Sequence, residues 1–155
     1  MLSKSGSITG KIDTLQDFGL STDEFFEIFS TFNLVGLWRL DLDSGHTFCS
    51  ATYSKLYGIK HTDGPINMME IIARIHPDDL SSVMESHEVA SAHPMAYQKI
   101  HRLSSDRITY RYVCSIGRFR TKPGTSGEIV GIAFEVPPHR CDFRYETDST
   151  ADLKL

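Results

Sequence analysis

The sequence contains little cysteine and no cluster of positive charge. Its three cysteines, Cys49, Cys114 and Cys141, lie far apart and form no CxxC pair. A set that is odd in number and widely spaced predicts neither a disulfide framework nor a zinc site, and it indicates the reduced thiols of an intracellular protein. The net charge is −4 and no lysine or arginine run occurs. This composition argues against nucleic acid or an anionic membrane surface as a partner.

Long hydrophobic runs are also missing. No stretch approaches the ~20 apolar residues that cross a bilayer, and the N-terminus leads into no signal-peptide core. We therefore expect a soluble, cytoplasmic protein. At 155 residues, of which 40% are hydrophobic, the chain has the size of one compact domain with short polar ends.

The N-terminal region predicts one helix of unusual composition. Residues 1–13 are small and polar and should form a flexible arm. A cap helix is predicted within 14–33, with the capping box Ser21-Thr22-Asp23-Glu24 at its start. Its apolar side carries Phe25, Phe26, Phe29 and Phe32. Because such a helix cannot be solvated alone, we expect it to cover a core or to form a homodimer interface.

The region 34–137 alternates short strands with helices. Two strands, 36–42 and 46–50, flank the turn Asp43-Ser44-Gly45 and predict an antiparallel hairpin. Short helices are predicted at 51–57 and 66–75, and three further strands at 95–103, 108–120 and 128–136. Strands on both sides of a block of helices indicate an α+β domain with an antiparallel sheet. The polar remainder, 138–155, should form a loosely attached tail.

A longer helix is predicted to begin at His76-Pro77-Asp78-Asp79 and to end at His93-Pro94. Pro77 suits the first turn, where an N–H has no partner within the helix, and two acids suit the positive end of the helix dipole. We therefore interpret Asp78 and Asp79 as helix caps. His87 lies further along this helix, on its apolar side.

Several motifs in this order resemble those of a PAS domain of the bacterial sensor-kinase type. They are Gly36 to Gly45, Ile75 to Asp79, Asp106 with Tyr110-Arg111-Tyr112, and Gly127 with Gly131 to Glu135. The resemblance implies a five-stranded antiparallel sheet with helices on one face, leaving the other face or a dimer interface to the Phe-rich helix. Two positions depart from the pattern. Arg107 follows Asp106 where a glycine is usual, and Glu135-Val136-Pro137 replaces the usual Asp-Ile-Thr.

The resemblance also implies a cavity between the sheet and the helices. Alternation in the last two strands predicts apolar residues on both sheet faces, and the smaller set should face the helices and leave volume. The candidate lining residues are Met69, His87, His101, Val113, Ser115 and Ala133. Two alternatives remain open: Met68, Met69, Ile71 and Ile72 fill the volume, or a small molecule does.

Cofactor and catalytic motifs are scarce. Some PAS domains hold haem through a histidine at the place of His87, but a single histidine on an apolar side is more often a hydrogen-bonded core residue. Flavin is not favoured, because the Asn-Cys-Arg motif of light-sensing PAS domains is missing. The histidine spacings fit no metal site, and no nucleophile–base pair is visible, so we expect no enzymatic activity.

These observations predict a stand-alone sensor domain. It would bind a small molecule in its core and relay its state through dimer contacts or a signalling partner. The alternative is a ligand-free interaction and dimerisation module.

Overall fold

The computed structural model describes residues 14–92, 95–104 and 106–137. The chain divides into two compact units between Phe32 and Asn33. The predicted arm, the predicted tail with Cys141, and the helix stop at His93-Pro94 lie outside the described residues. No helix in the described part of the chain combines the length and apolarity needed to span a bilayer.

The described part of the first unit, residues 14–32, contains two short helices where the sequence predicts one. A 3₁₀ helix, Leu15–Phe18, precedes the α-helix α1, Thr22–Ser30. Gly19 separates them because it adopts the left-handed conformation, with φ of 66°. The predicted span of 14–33 is therefore too long, and Phe32 lies beyond the end of α1.

The start of α1 confirms the predicted capping box. The backbone N–H of Glu24 donates to Ser21 Oγ at 3.1 Å, and the N–H of Ser21 donates to Glu24 Oε2 at 2.8 Å. Two backbone donors that the helix cannot satisfy are thereby paired. No residue of α1 is buried.

The second unit contains a five-stranded antiparallel sheet, which confirms the predicted α+β fold class. Its strands are β1 (Val35–Asp41), β2 (Thr47–Cys49), β3 (Ala96–Leu103), β4 (Arg111–Arg120) and β5 (Glu128–Val136). They are arranged in the order β2-β1-β5-β4-β3, and every neighbouring pair is antiparallel. The helices α2 (Ala51–Tyr57), α3 (Met68–Ile72) and α4 (Pro77–Ala92) connect β2 to β3.

The strand register defines the inner face of the sheet, which packs against these helices. One row across β1, β5, β4 and β3 consists of Trp38, Gly131, Gly117 and Tyr97. The next row consists of Gly36, Ala133, Ser115 and Lys99. Paired residues share a face, so the smaller side chains lie inward, as predicted.

Aromatic side chains occupy most of the space that these small residues leave. A Cβ atom on Gly131 would lie 2.6 Å from the Trp38 ring, and one on Gly117 would lie 2.6 Å from the Tyr97 ring. Either contact is far closer than carbon atoms tolerate. The two glycines therefore make room for the Trp38 and Tyr97 rings. The expectation that small inner residues leave open volume is largely wrong.

The two acids at the start of α4 have different roles. Asp79 accepts hydrogen bonds from Arg102 on β3: from its backbone N–H at 2.8 Å, from Nε at 2.9 Å and from Nη2 at 2.7 Å. Asp78 is exposed, and its own N–H donates to Nδ1 of His76 at 3.1 Å. His76 thus caps the helix. The interpretation of Asp79 as a cap is wrong, because its carboxylate joins α4 to the sheet.

We predict that Asp79→Asn destabilises the fold while Asp78→Asn does not. The first change removes the charge from a partly buried, bidentate pair and should lower the free energy of unfolding by about 2 kcal/mol. The second removes an exposed charge at a helix start and should cost less than about 1 kcal/mol. Urea unfolding at pH 7 measures both. Equal losses in the two variants would contradict a joint between α4 and β3.

Candidate functional site

A small cavity lies between the inner face of the sheet and the three helices. Its volume is about 40 Å³, which is room for about three water molecules. From the sheet it is lined by Trp38, Thr47, Tyr97, Lys99, His101 and Ser115. From the helices and the segment after α3 it is lined by Tyr53, Tyr57, Met68, Ile71, Ile72, Ile75, Val83, Met84, Ser86 and His87.

The structure brings three of the six predicted lining residues together, namely His87, His101 and Ser115. Val113 and Ala133 lie in the packed core beside the cavity and are fully buried. Met69 is 68% exposed and does not face the cavity.

The placement of Met69 was wrong by one residue. Met68 lines the cavity together with Ile71 and Ile72, at the i, i+3 and i+4 spacing of one helix face. A neighbouring residue points about 100° away from that face, toward solvent. Glu70 is the only polar residue within the five residues of α3, which is too little for the sequence pattern to define the buried face of so short a helix.

Sequence reasoning missed the aromatic residues and the lysine of the site. Strand alternation offered a signal for them, because Tyr97, Lys99 and His101 follow at every second position of β3. The same alternation places Trp38 inward on β1. The resemblance pointed to small inner residues instead. In the structure these small residues make room for the larger side chains.

Two stacked tyrosines lead to His101. The rings of Tyr53 and Tyr57 stack with their centroids 4.2 Å apart. The hydroxyl of Tyr57 lies 3.1 Å from Nε2 of His101. Burial raises the pKa of both tyrosines, so their hydroxyls stay protonated at neutral pH.

Both cavity histidines are held neutral. Burial lowers the pKa of His101 to about 4; nearby Asp79 opposes this effect, and His87 and Lys99 reinforce it. Burial likewise lowers the pKa of His87. At neutral pH both side chains are therefore uncharged imidazoles, each with one donor and one acceptor nitrogen.

Three lining residues carry buried polar atoms without a hydrogen-bond partner among the described residues. These atoms are Nε1 of Trp38, the hydroxyl of Tyr97 and Nδ1 of His101. A fourth such atom, Oε2 of Glu128, lies away from the cavity. Since more than about 90% of buried polar groups in proteins are paired, three in one cavity form an unusual concentration.

The rings around His87 leave no room for a haem. The His87 ring centroid lies 5.9 Å from that of Trp38 and 6.0 Å from that of Tyr97. Sites for drug-sized ligands and cofactors occupy roughly 300 Å³ or more, whereas this cavity holds about 40 Å³. Haem on His87 would have to displace both neighbouring rings. The described residues also contain no group of three His, Cys, Asp or Glu side chains placed to hold a metal ion.

A serine, a histidine and an aspartate lie in line at another place, which the sequence analysis did not anticipate. The hydroxyl of Ser54 lies 3.3 Å from Nδ1 of His61, and Nε2 of His61 lies 3.4 Å from Asp63. Ser54 is only 1% exposed, so its hydroxyl cannot reach a substrate. We assign this group the structural role of holding the loop after α2.

We predict that His101 makes the protein acid-sensitive. Its pKa of about 4 lies below the usual 6.5, so protons bind preferentially to the unfolded chain between these values. Stability is complete above pH 6.5 and falls by about 3 kcal/mol as the pH drops to 4. Urea unfolding of His101→Gln, which keeps a polar partner for Tyr57, should show a flatter profile, while exposed His46→Gln should keep the slope. Identical slopes in all three proteins would contradict the prediction.

Solved structures similar to this chain share one fold. No protein-family model and no curated protein matches the sequence. A sensory box histidine kinase/response regulator from Burkholderia thailandensis superposes with a TM-score of 0.60 at 21% identity, covering 83% of this chain and 96% of that one. For the N-terminal domain of a diguanylate cyclase with PAS/PAC sensor from Marinobacter aquaeolei the values are 0.57, 13%, 68% and 98%.

A longer protein shows the same similarity over part of its length. The structure of an RNA-binding light-oxygen-voltage receptor superposes with a TM-score of 0.57 at 16% identity and covers 77% of this chain. The match spans about a third of that receptor, 36%. The strand order, the helical segment between β2 and β3, and these similarities together show that the chain has the PAS fold of sensory domains in signalling proteins.

Proposed function

We propose that this chain is a sensor domain that binds a small polar molecule in the cavity between its sheet and its helices. The observation that carries this proposal is the set of three unpaired polar atoms on Trp38, Tyr97 and His101. Each unpaired buried group costs about 1–3 kcal/mol. A ligand that hydrogen-bonds to them would recover part of that cost, which gives the folded protein a reason to bind it.

The cavity walls favour a ligand of few atoms. A volume of about 40 Å³ admits about three to five non-hydrogen atoms. Met68 and Met84 are lining residues with flexible side chains that adapt to different shapes. Met84 is also 43% exposed, so it lies between the cavity and solvent and marks an entry route.

Helix α4 is the element that would report occupancy. Its first turn is joined to β3 by the Asp79–Arg102 pair. Its later residues Met84, Ser86 and His87 line the cavity. A ligand would therefore shift the middle of the helix about a fixed end, and that displacement is the signal that we propose a partner reads.

Replacement of Ser86 by methionine tests ligand binding. Ser86→Met should fill the cavity, whereas Ser81→Met places the same side chain on an exposed position of the same helix. We expect native mass spectrometry of freshly purified protein to show a bound small molecule in the wild type and in Ser81→Met, and none in Ser86→Met. Thermal unfolding should confirm that all three are folded. A bare polypeptide mass in the wild type would contradict the proposal.

A second proposal, homodimerisation through α1, is supported by the exposed aromatic residues of the first unit. Phe25 and Phe26 are 50% and 43% exposed, and Phe32 is 95% exposed. Exposed aromatic side chains concentrated within eight residues are typical of surfaces that a partner covers. A second copy of the chain would bury the same residues from both sides, and a dimer would offer the sensor a route for its output.

Sedimentation experiments test the dimer. We expect the wild type to sediment at twice its mass of 17.5 kDa, and the double variant Phe25→Glu/Phe32→Glu to sediment as a folded monomer. Glu27→Gln, on the same helix, should remain dimeric. A wild type that is monomeric at high micromolar concentration, or a double variant that remains a dimer, would rule out this interface.

A further inference from the structure

We infer that the cavity binds a small monocarboxylate, because its free polar groups are donors, a lysine stands among them and no acidic side chain lines it. This inference rests on the proposed ligand-sensing function and names the chemical class of the ligand.

Two of the unpaired groups are hydrogen-bond donors. The indole Nε1–H of Trp38 is a donor only, and the Tyr97 hydroxyl carries a hydrogen that no other group accepts. Trp38 is 6% exposed, so water has little access to its indole from outside. A ligand that satisfies these groups must offer acceptor oxygens.

The tautomer that we infer for His101 adds a third donor. We assign the Tyr57 hydroxyl, which stays protonated at neutral pH, as the donor to Nε2 of His101 at 3.1 Å. In a neutral imidazole one nitrogen accepts and the other carries the proton. Nδ1 of His101, which has no partner, is then the N–H nitrogen.

Lys99 gives the site a positive charge. It stands between Tyr97 and His101 on the inner face of β3, and it lies close enough to His101 to oppose protonation of that ring. Among the lining residues it is the only one with a side chain of the charged type; aspartate, glutamate and arginine are not represented. Lys99 is half-buried as a residue, and a lysine side chain in such a place pairs favourably with an anion bound in the same site.

The volume and the apolar wall select a carboxylate with a short tail. About 40 Å³ fits a planar anion of about four non-hydrogen atoms. The opposite wall consists of Ile71, Ile72 and Val83, against which a methyl group would pack. A phosphate ester would bring a larger, doubly charged group to a site with one lysine and no arginine.

The single tryptophan of the chain makes the cavity directly observable. Because Trp38 is the only one, its indole N–H resonance and its fluorescence report on this site alone. We expect sodium acetate, titrated at constant ionic strength with sodium chloride, to shift the indole resonance saturably. Acetamide has the same shape without the charge and should bind at least tenfold more weakly.

Variants assign the effect to the named groups. Lys99→Met should weaken acetate binding at least tenfold, whereas Lys122→Met, at an exposed loop position, should leave it unchanged. Tyr97→Phe should weaken acetate binding and raise the melting temperature of the acetate-free protein, since it removes an unpaired hydroxyl. A merely structural hydroxyl would lower that temperature when removed.

The outcomes separate this inference from the function on which it rests. Acetamide binding as tightly as acetate, or equal acetate affinity in Lys99→Met and the wild type, would overturn the carboxylate and leave ligand sensing intact. An indole resonance that neither probe shifts would also overturn it. In that case, ligand sensing is decided by the Ser86→Met and Ser81→Met comparison alone.

Discussion

The joint between Asp79 and Arg102 is the constraint on which the ligand-sized features of this molecule depend. Its carboxylate accepts a backbone and two side-chain hydrogen bonds from one residue of β3. The guanidinium, together with the backbone N–H, holds the pKa of Asp79 below its usual range, so the pair stays charged across the physiological range. Next to it, the N–H of His76 donates to the carbonyl of Arg102 at 3.0 Å. The start of α4 is therefore fixed to the sheet. This attachment sets the distance between α4 and the sheet, and so the height of the cavity between them.

The size of the cavity follows from a second constraint, the contact of rings with glycine backbones. Trp38 lies on Gly131 and Tyr97 lies on Gly117, with no space for a Cβ atom. The two rings therefore pack directly against the glycine backbone of the sheet, closer than they could pack against alanine or valine. The protein reaches dense packing over most of the inner face, and only a small volume bounded by polar atoms remains.

Much of the fold could be predicted from the sequence, because the residues that begin and end its helices act locally. Capping residues, Gly58 after α2, and the proline at the start of α4 fix the helix boundaries through backbone chemistry that needs no tertiary information. Strand alternation separated the residues of the two faces of β4 and β5, and the resemblance to PAS domains indicated which set faces the helices. The start of β4 was predicted three residues early, since the Asp106 carboxylate accepts the N–H groups of Ile108 and Thr109 and keeps them in the turn.

The departure at Arg107 also has a local explanation. Its φ of 62° is the left-handed conformation that the usual glycine would adopt at this place. The sequence therefore keeps the turn while losing the residue best suited to it. The hydrogen bonds to Asp106, including one of 2.6 Å from the Thr109 hydroxyl, hold the turn in spite of the unfavourable φ.

The site was less predictable than the fold because it depends on which side chains meet. The predicted lining residues included His87, His101 and Ser115 but not Trp38, Tyr97 or Lys99. Trp38 comes from a strand distant in sequence, and Tyr97 and Lys99 from the strand of His101. Neither the tautomer of His101 nor the lack of partners for its Nδ1 can be read from local pattern. Both arise from the meeting of α2 with β3, where Tyr57 contacts His101.

The stacked tyrosines bear both on the stability of the core and on the ligand binding that we propose. Tyr53 and Tyr57 are core residues, and a core of phenylalanine at these places would pack as well without buried hydroxyls. The Tyr57 hydroxyl instead hydrogen-bonds to Nε2 of His101, whose Nδ1 has no partner among the described residues. A protein selected for stability alone gains nothing from this arrangement. A protein that binds a small polar molecule, as we propose, gains a neutral imidazole held in one orientation beside the cavity.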